Sequence, residues 1–246
     1  MAVDASPVPH EPIAPELAAL AAAEGLGAHR FTIHPHRPGV LRLGGLLLFG
    51  ILGLFALVLP GLYFFWLASQ TPSLSRAQAA RRLHFFEHGL IETAKDGTPA
   101  AFRWDSMMAL QEITERYANG IYVGTTYVYT LHAKDGTSRK LTNFYAEPER
   151  WGPFIQQEIT NFQLPGLLAR LDQGETLRFG DLSVSRGGIA TAKSGSATWA
   201  EIQGLQIKNG ALFLRKGGKT RSWSTKAVKD IPNFFLFLAL VGQLRP

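Results

Sequence analysis

Residues 43–68 read LGGLLLFGILGLFALVLPGLYFFWLA, a continuous run without a charged side chain. A helix that crosses a bilayer needs roughly 20 predominantly apolar residues. Tyr63 and Trp66 stand near the end of the run, where aromatic residues typically mark a membrane interface. The run therefore predicts an uncleaved transmembrane helix over residues 43–68, and with it a single-pass protein of the cell membrane and an integral contact with the lipid bilayer.

Two features leave details of this anchor open. Pro60-Gly61 also permits a re-entrant hairpin that turns at these residues, although the second arm would be too short to cross the bilayer again. The arginines on the two sides of the run are equal in number, so the charge bias that normally sets topology is a tie. We favour the single span and expect the soluble domains that follow it on the cytoplasmic side.

The rest of the chain divides by composition around this anchor. Proline, alanine and basic residues dominate before it, and alternating apolar and polar residues follow it. We expect five segments: 1–42, a disordered tail with a short Ala-rich helix and a basic juxtamembrane stretch; 43–68, the transmembrane helix; 69–82, a linker; 83–173, a first β-rich domain; and 174–246, a second.

The two β-rich segments repeat one pattern. Each contains strand-like alternation and then a tryptophan, Trp104 in the first and Trp199 in the second. Asp96-Gly97 and Asp135-Gly136 are typical hairpin turns of the first segment. Each segment closes on an apolar helix, predicted within 146–162 and over 231–244. We expect both tryptophans in the cores of their domains, because large aromatic side chains dominate small cores.

Short motifs carry a resemblance to a known family. They are Gly89, Trp104-Asp105-Ser106-Met107, Phe179-Gly180, Gly188, Trp199-Ala200-Glu201-Ile202 and Ile231-Pro232-Asn233. Over residues 83–246 the chain resembles bacterial pleckstrin-homology-like (PH-like) domains, arranged in tandem after an anchor as in a family of uncharacterised bacterial membrane proteins. The resemblance implies a mainly β (α+β) fold: one N-terminal transmembrane helix, then two PH-like domains, each a bent antiparallel sheet or barrel capped by a C-terminal helix.

Nothing in the sequence indicates catalysis or a cofactor. The chain has no cysteine, which excludes disulfides and thiolate metal sites, and it contains none of the common nucleotide-binding, hydrolase or metalloprotease motifs. His29, His34 and His36 form the one histidine cluster, and we interpret it as a polar linker rather than a metal site. We therefore expect a non-enzymatic protein with no cofactor and no catalytic or metal-binding residues.

Positive charge gathers in the last third of the chain. Residues 174–246 carry 11 Lys and Arg against 4 Asp and Glu. Seven of these cations lie in or beside one predicted hairpin: Lys208, Arg215, Lys216, Lys219, Arg221, Lys226 and Lys229. Such a hairpin is either a solvated edge that discourages aggregation or a docking surface for anionic headgroups or an acidic protein. Nucleic acid is disfavoured, because the hairpin lacks repeated aromatic stacking platforms.

These observations together predict a binding or scaffold function. We expect a membrane-anchored protein that presents two PH-like domains at the membrane surface, where the basic second domain docks on anionic lipid or an acidic partner. Membrane proteins are further expected partners. The alternative is an accessory subunit of an envelope enzyme or transporter complex.

Overall fold

The structure is a computed structural model that describes residues 13–37, 39–56, 58–217 and 222–245. The chain forms two compact units. Unit 1 comprises Met1–Ala101 and Asn143–Glu147, and unit 2 comprises Phe102–Thr142 and Pro148–Pro246. The expected disorder of the first residues of the tail lies outside the described residues.

The described residues of unit 1 form four helices and one sheet. The helices are α1 (Pro15–Ala23), α2 (Val40–Ala56), α3 (Val58–Ser69) and α4 (Arg76–Ala80). The strands are β1 (His29–Ile33), β2 (Arg82–Phe86), β3 (Gly89–Thr93) and β4 (Pro99–Arg103), of which β4 ends in unit 2. They lie side by side in the order β1-β2-β3-β4, and β2 runs antiparallel to both of its neighbours.

The core of unit 1 joins α1 to this sheet. Leu26, which follows α1, packs with Phe86 and Ile91, and all three side chains are fully or almost fully buried. Phe31 on β1 stacks on Phe85 on β2 with ring centroids 4.5 Å apart. The segment before the apolar run is therefore partly structured, because α1 contributes apolar residues to this core.

The apolar run at 43–68 does not form one long helix. It belongs to α2 and α3, which pack antiparallel through small residues. A Cβ on Gly53 would lie 2.8 Å from the backbone nitrogen of Gly61, and the rings of Phe49 and Phe64 are 5.8 Å apart. α3 spans Val58–Ser69, so Pro60-Gly61, the turn of the alternative re-entrant hairpin, lies inside α3.

This arrangement corrects the membrane predictions. Among the residues that the structure describes, no helix has both the length and the apolar character needed to cross a membrane. The predicted transmembrane helix over 43–68 is therefore wrong, and so is the single-pass cell-membrane location derived from it. The expectation of a mainly β fold is also wrong, because helices and strands occupy about equal lengths of this α+β chain.

The described residues of unit 2 form three antiparallel sheets and two α-helices. The first sheet has the order β5-β6-β7, with β5 (Met108–Ala118), β6 (Ile121–His132) and β7 (Ser138–Thr142), and α5 (Pro148–Asp172) follows. The second has the order β11-β10-β9-β8, with β8 (Leu177–Phe179), β9 (Leu182–Ser185), β10 (Gly188–Thr191) and β11 (Gly195–Thr198). The third has the order β12-β13-β14, with β12 (Ile202–Lys208), β13 (Ala211–Lys216) and β14 (Ser224–Ala227), and α6 (Phe234–Leu244) follows.

Local chemistry explains where several of these elements turn. Gly97 and Gly136 have φ values of +85° and +88°. These are left-handed conformations that glycine adopts without steric cost, so both predicted Asp-Gly turns are confirmed. The buried positions of Trp104 and Trp199 are confirmed as well.

The two helices of unit 2 differ from their predicted bounds. α5 starts at Pro148 and runs to Asp172, well beyond the predicted 146–162, with Pro153 and Pro165 inside it. α6 starts three residues later than predicted, because Asn233 adopts a left-handed conformation with φ of +48°. Phe237 of α6 is fully buried and contacts the ring of Phe179 edge-on at 5.4 Å.

Candidate binding groove

The structure places five of the seven predicted cations on the third sheet of unit 2 and the turn after it. Lys208 ends β12, Arg215 and Lys216 end β13, and Lys226 lies on β14. Lys229 follows in the 3-10 turn Val228–Asp230. Lys219 and Arg221 lie outside the described residues.

Acidic side chains engage three of these five cations. The Lys216 ammonium lies 2.8 Å from the Glu201 carboxylate, and the Lys226 ammonium lies 2.6 Å from that of Asp181. Lys229 lies 3.8 Å from Glu112. The charge of the hairpin is therefore partly balanced within the unit, by Glu201 directly before β12 and by the more distant Asp181 and Glu112.

The two short ion pairs lower the pKa values of their acids. The hydrogen bond from Lys216 is the main cause of the lowered pKa of Glu201, and the backbone N–H of Thr198 contributes. The hydrogen bond from Lys226 lowers the pKa of Asp181 in the same way. A carboxylate that accepts hydrogen bonds holds its charge to lower pH, because the bonds favour the ionised form.

We expect the Glu201 carboxyl to titrate below its ordinary pKa of 4.5 in carbon-13 NMR. Its lowered pKa means that its contribution to stability is complete above that ordinary value and is lost as the pH falls through the lowered pKa. Lys216→Met should return the Glu201 titration towards 4.5 and leave that of Asp181 unchanged. An unchanged Glu201 titration in the variant would contradict the assigned cause.

A separate open groove runs along β5. It has a volume of about 810 Å³. One wall is β5 from Gln111 to Glu115 with Tyr117, and the opposite walls are the β12–β13 turn, the turn at Val228–Asp230 and the start of α6. We call this feature the β5 groove.

Exposed apolar side chains line the β5 groove. Ile113 and Tyr117 of β5 are 43% and 60% exposed, Ile207 of β12 is 52% exposed, and Phe235 of α6 is 42% exposed. Apolar side chains that remain exposed together, with a polar rim, are typical of interaction sites. The rim here consists of Glu112 and its partner Lys229, together with Glu115.

The start of β5 is fixed from its outer side by Asn233. The backbone N–H of Ala109 donates to the side-chain oxygen of Asn233 at 2.7 Å, and the Asn233 N–H donates to the Ala109 carbonyl at 2.8 Å. The Asn233 amide also donates to the Met107 carbonyl at 3.2 Å. The left-handed conformation of Asn233 thus positions both its backbone and its side chain against the strand edge.

Polar side chains of α5 hold the inner side of the same sheet. The Gln156 amide donates to Gln111 at 2.7 Å and to the Tyr129 hydroxyl at 2.5 Å. Burial is the main cause of the strongly raised pKa of Tyr129. Gln163 donates to the carbonyls of Trp104 and Met107 at 2.7 Å and 2.9 Å. These hydrogen bonds hold β5 in place against α5.

The histidine cluster does not assemble as a group. The His29 ring shares the Thr32 hydroxyl with His84, at 3.0 Å and 2.9 Å, while His34 and His36 are exposed. In the part of the chain that the structure describes, no three His, Asp or Glu side chains come together as a metal site would require.

Sequence reasoning did not identify the β5 groove. The alternating pattern predicted a strand over 100–112, which reaches only the start of the β5 wall, and the other walls come from residues about 90 to 125 positions later in the chain. One local signal was available: Asn233 stands between Pro232 and an apolar run, and asparagine is among the few residues that readily adopt the left-handed conformation.

Comparison with known proteins gives one match. A family model described as a family of unknown function, DUF6585, matches residues 14–245. The chain belongs to this family. No curated protein matches the chain, and no solved structure matches it. The family match covers both units and assigns neither a ligand nor a location.

Proposed function

We propose that this protein is a non-enzymatic binding or scaffold protein that holds a partner in the β5 groove. The observation that carries the proposal is the exposed apolar lining of a groove whose β5 wall is held in place by Asn233 and α5. The charged side chains of the rim are also exposed enough to contact a partner. Glu112 and Lys229 pair with each other at the surface, each about half exposed.

We also propose a likeness to PH-like binding modules, and the support for it is the order of the elements along the chain. Along the chain, a four-stranded sheet, a three-stranded sheet and a helix follow one another, and the same order then recurs. Function within such a fold depends on the site rather than on the fold itself. The β5 groove is therefore the stronger support.

Co-purification from native cells tests the proposed function. The tagged full-length chain should enrich a defined protein partner, and a variant with Ile207→Glu and Phe235→Glu should lose about tenfold of that enrichment, because both changes place charge in the apolar lining. Phe162→Glu is the matched control, since Phe162 is a 38% exposed aromatic outside the groove. Equal enrichment by all three proteins would overturn the assignment to this groove.

A second candidate function rests on Lys208 and Arg215. Both are exposed, and no ion pair with an acid is formed by either one among the described residues. These two cations therefore support docking on an anionic partner, either an acidic protein or lipid headgroups. An accessory role in a larger enzyme or transporter complex would use the same two surfaces, and would be revealed by an enzyme subunit among the co-purified proteins.

Salt-dependent binding tests this second candidate. The full-length chain should bind vesicles containing phosphatidylserine, or polyglutamate, more tightly at low than at physiological ionic strength. Lys208→Glu with Arg215→Glu should weaken this binding about thirtyfold or more, since each of the two cations near an anionic surface contributes about 1 kcal/mol. Lys95→Glu with Lys134→Glu provides a charge-matched control. Equal weakening by both double substitutions would show that Lys208 and Arg215 have no specific role in this binding.

A further inference from the structure

We propose that the occupant of the β5 groove is an extended peptide segment of a partner protein, which adds to the sheet β5-β6-β7 as a fourth strand along the free edge of β5. This inference rests on the proposed binding function and specifies the chemistry of the partner. Strand addition is a recurrent mode of peptide recognition, in which main-chain hydrogen bonds supply affinity and side-chain pockets supply specificity.

The first support is the direction of the backbone groups. Among the strands that the structure describes, β5 pairs with β6 on one side only, in a regular antiparallel register from Met108↔His132 to Arg116↔Gly124. In such a register, alternate residues direct their N–H and C=O groups to the partner strand and away from it. The Ala109 groups point away, because both bond to Asn233. The groups of Gln111, Ile113 and Glu115 therefore point away as well, towards the groove.

The second support is that Asn233 already forms the first hydrogen bonds of a ladder along the outer edge of β5. Asn233 forms with Ala109 the pair of hydrogen bonds that a neighbouring strand would form, one donated and one accepted. Beyond this point, no other described residue hydrogen-bonds to the outward backbone groups of Ile113 and Glu115. From Gln111 to Glu115 the open edge is about 14 Å long, which suits a peptide of four to five residues.

The third support is the side-chain environment of this open edge. A strand added to β5 would place alternate side chains among the exposed Ile113, Ile207 and Phe235. Exposed edges of this kind are normally blunted, because they can pair with other chains. A long edge that faces an apolar groove is therefore suited to a specific partner strand.

Charge defines the partner further. The rim of the groove carries the carboxylates of Glu112 and Glu115 against the single ammonium of Lys229. Glu112 lies 3.8 Å from Lys229, and Glu115 accepts a hydrogen bond from the Tyr117 hydroxyl at 2.8 Å. The balance is one negative charge, so the complementary peptide alternates apolar residues with lysine or arginine.

A defined peptide tests the proposal on the full-length chain. The probe is an acetylated and amidated peptide of alternating valine and lysine, about eight residues long, with its affinity measured by fluorescence anisotropy. Ile113→Pro removes an N–H that faces the groove and leaves the β5–β6 ladder intact, as proline on a strand edge does. We expect it to weaken binding about tenfold or more, whereas Ile113→Val should bind within about twofold of the unmodified chain.

Two further arms keep the test decisive. The same peptide N-methylated at alternate residues should lose its binding to the unmodified chain, which tests the ladder even if Ile113→Pro fails to fold. Replacing each lysine of the probe with glutamate should also weaken binding, because it opposes the charge of the rim. Equal affinity of Ile113→Pro and Ile113→Val, no binding of the valine–lysine probe, or dimerisation of the chain through β5 would each overturn the proposal.

The proposed function can survive failure of this inference. If the co-purified partner is lost with Ile207→Glu and Phe235→Glu but is retained with Ile113→Pro, the groove binds a partner without strand addition. If neither variant reduces the enrichment, the binding function of the groove fails together with the strand.

Discussion

Replacing Arg81 with methionine is expected to lower the free energy of unfolding by about 3 kcal/mol, because it leaves a buried carboxylate without its cation. The Arg81 guanidinium lies 3.0 Å from a carboxylate oxygen of Glu92, and the Glu92 side chain is 1% exposed. The Tyr145 hydroxyl donates to the same oxygen at 2.5 Å. The guanidinium also lies over the Phe144 ring, 4.3 Å from its centroid.

Urea denaturation of the full chain measures this loss. The double variant Arg81→Met with Glu92→Met should be more stable than Arg81→Met alone, because it removes the buried Glu92 charge together with the Arg81 cation. Arg103→Met is the exposed control. Its pair with Asp105 has side chains 38% and 43% exposed, so its loss should stay within about 1 kcal/mol. A double variant less stable than Arg81→Met would contradict a cost that arises from the buried Glu92 charge.

Burial also explains the behaviour expected of Tyr145. Desolvation is the main cause of its strongly raised pKa, and the adjacent Glu92 charge adds to it. A raised pKa in the folded state means that the contribution of Tyr145 to stability is complete below the ordinary tyrosine pKa and is lost as the pH rises through the raised value. The network thus stabilises unit 1 throughout the neutral range.

The parts of the fold that could be predicted depend on neighbouring residues. Asp96-Gly97 and Asp135-Gly136 each contain the glycine that a tight turn requires, so both turns followed from dipeptides alone. Trp104 and Trp199 were correctly placed in cores, since a large aromatic within an alternating strand pattern is usually buried. The alternation of apolar and polar residues likewise indicated strands before and after both tryptophans.

The parts that could not be predicted depend on contacts between distant residues. The run at 43–68 has the composition of a membrane helix, and contacts such as the close approach of Gly53 to Gly61 show that two helices pack there. The positive charge of the basic hairpin is partly neutralised by Glu112, which lies 117 positions before Lys229. Asn233 meets Ala109 across 124 positions. A composition count or a periodicity carries no information about such pairings.

Replacing Trp104 with alanine is expected to lower the free energy of unfolding by about 3–5 kcal/mol, the range for removing a large buried aromatic side chain. Trp104 is 0% exposed, and its ring meets that of Phe154 on α5 edge-on with centroids 6.3 Å apart. The cavity that remains would be lined by residues of a helix that Gln163 holds in place by bonds to the Trp104 and Met107 carbonyls. The surroundings therefore have little freedom to collapse into it.

Two matched tryptophan variants make this expectation specific. Trp104→Phe retains a ring at the same position and should lose less than Trp104→Ala, because the cavity is smaller. Trp66→Ala removes a side chain that is 58% exposed and should change stability by no more than about 0.5 kcal/mol. Denaturation followed by circular dichroism avoids the fluorescence changes that tryptophan replacement causes. Losses of similar size for Trp104→Ala and Trp66→Ala would show that burial does not determine the contribution of Trp104. A large difference would tie the stability of unit 2 to the contact between Trp104 and Phe154 of α5.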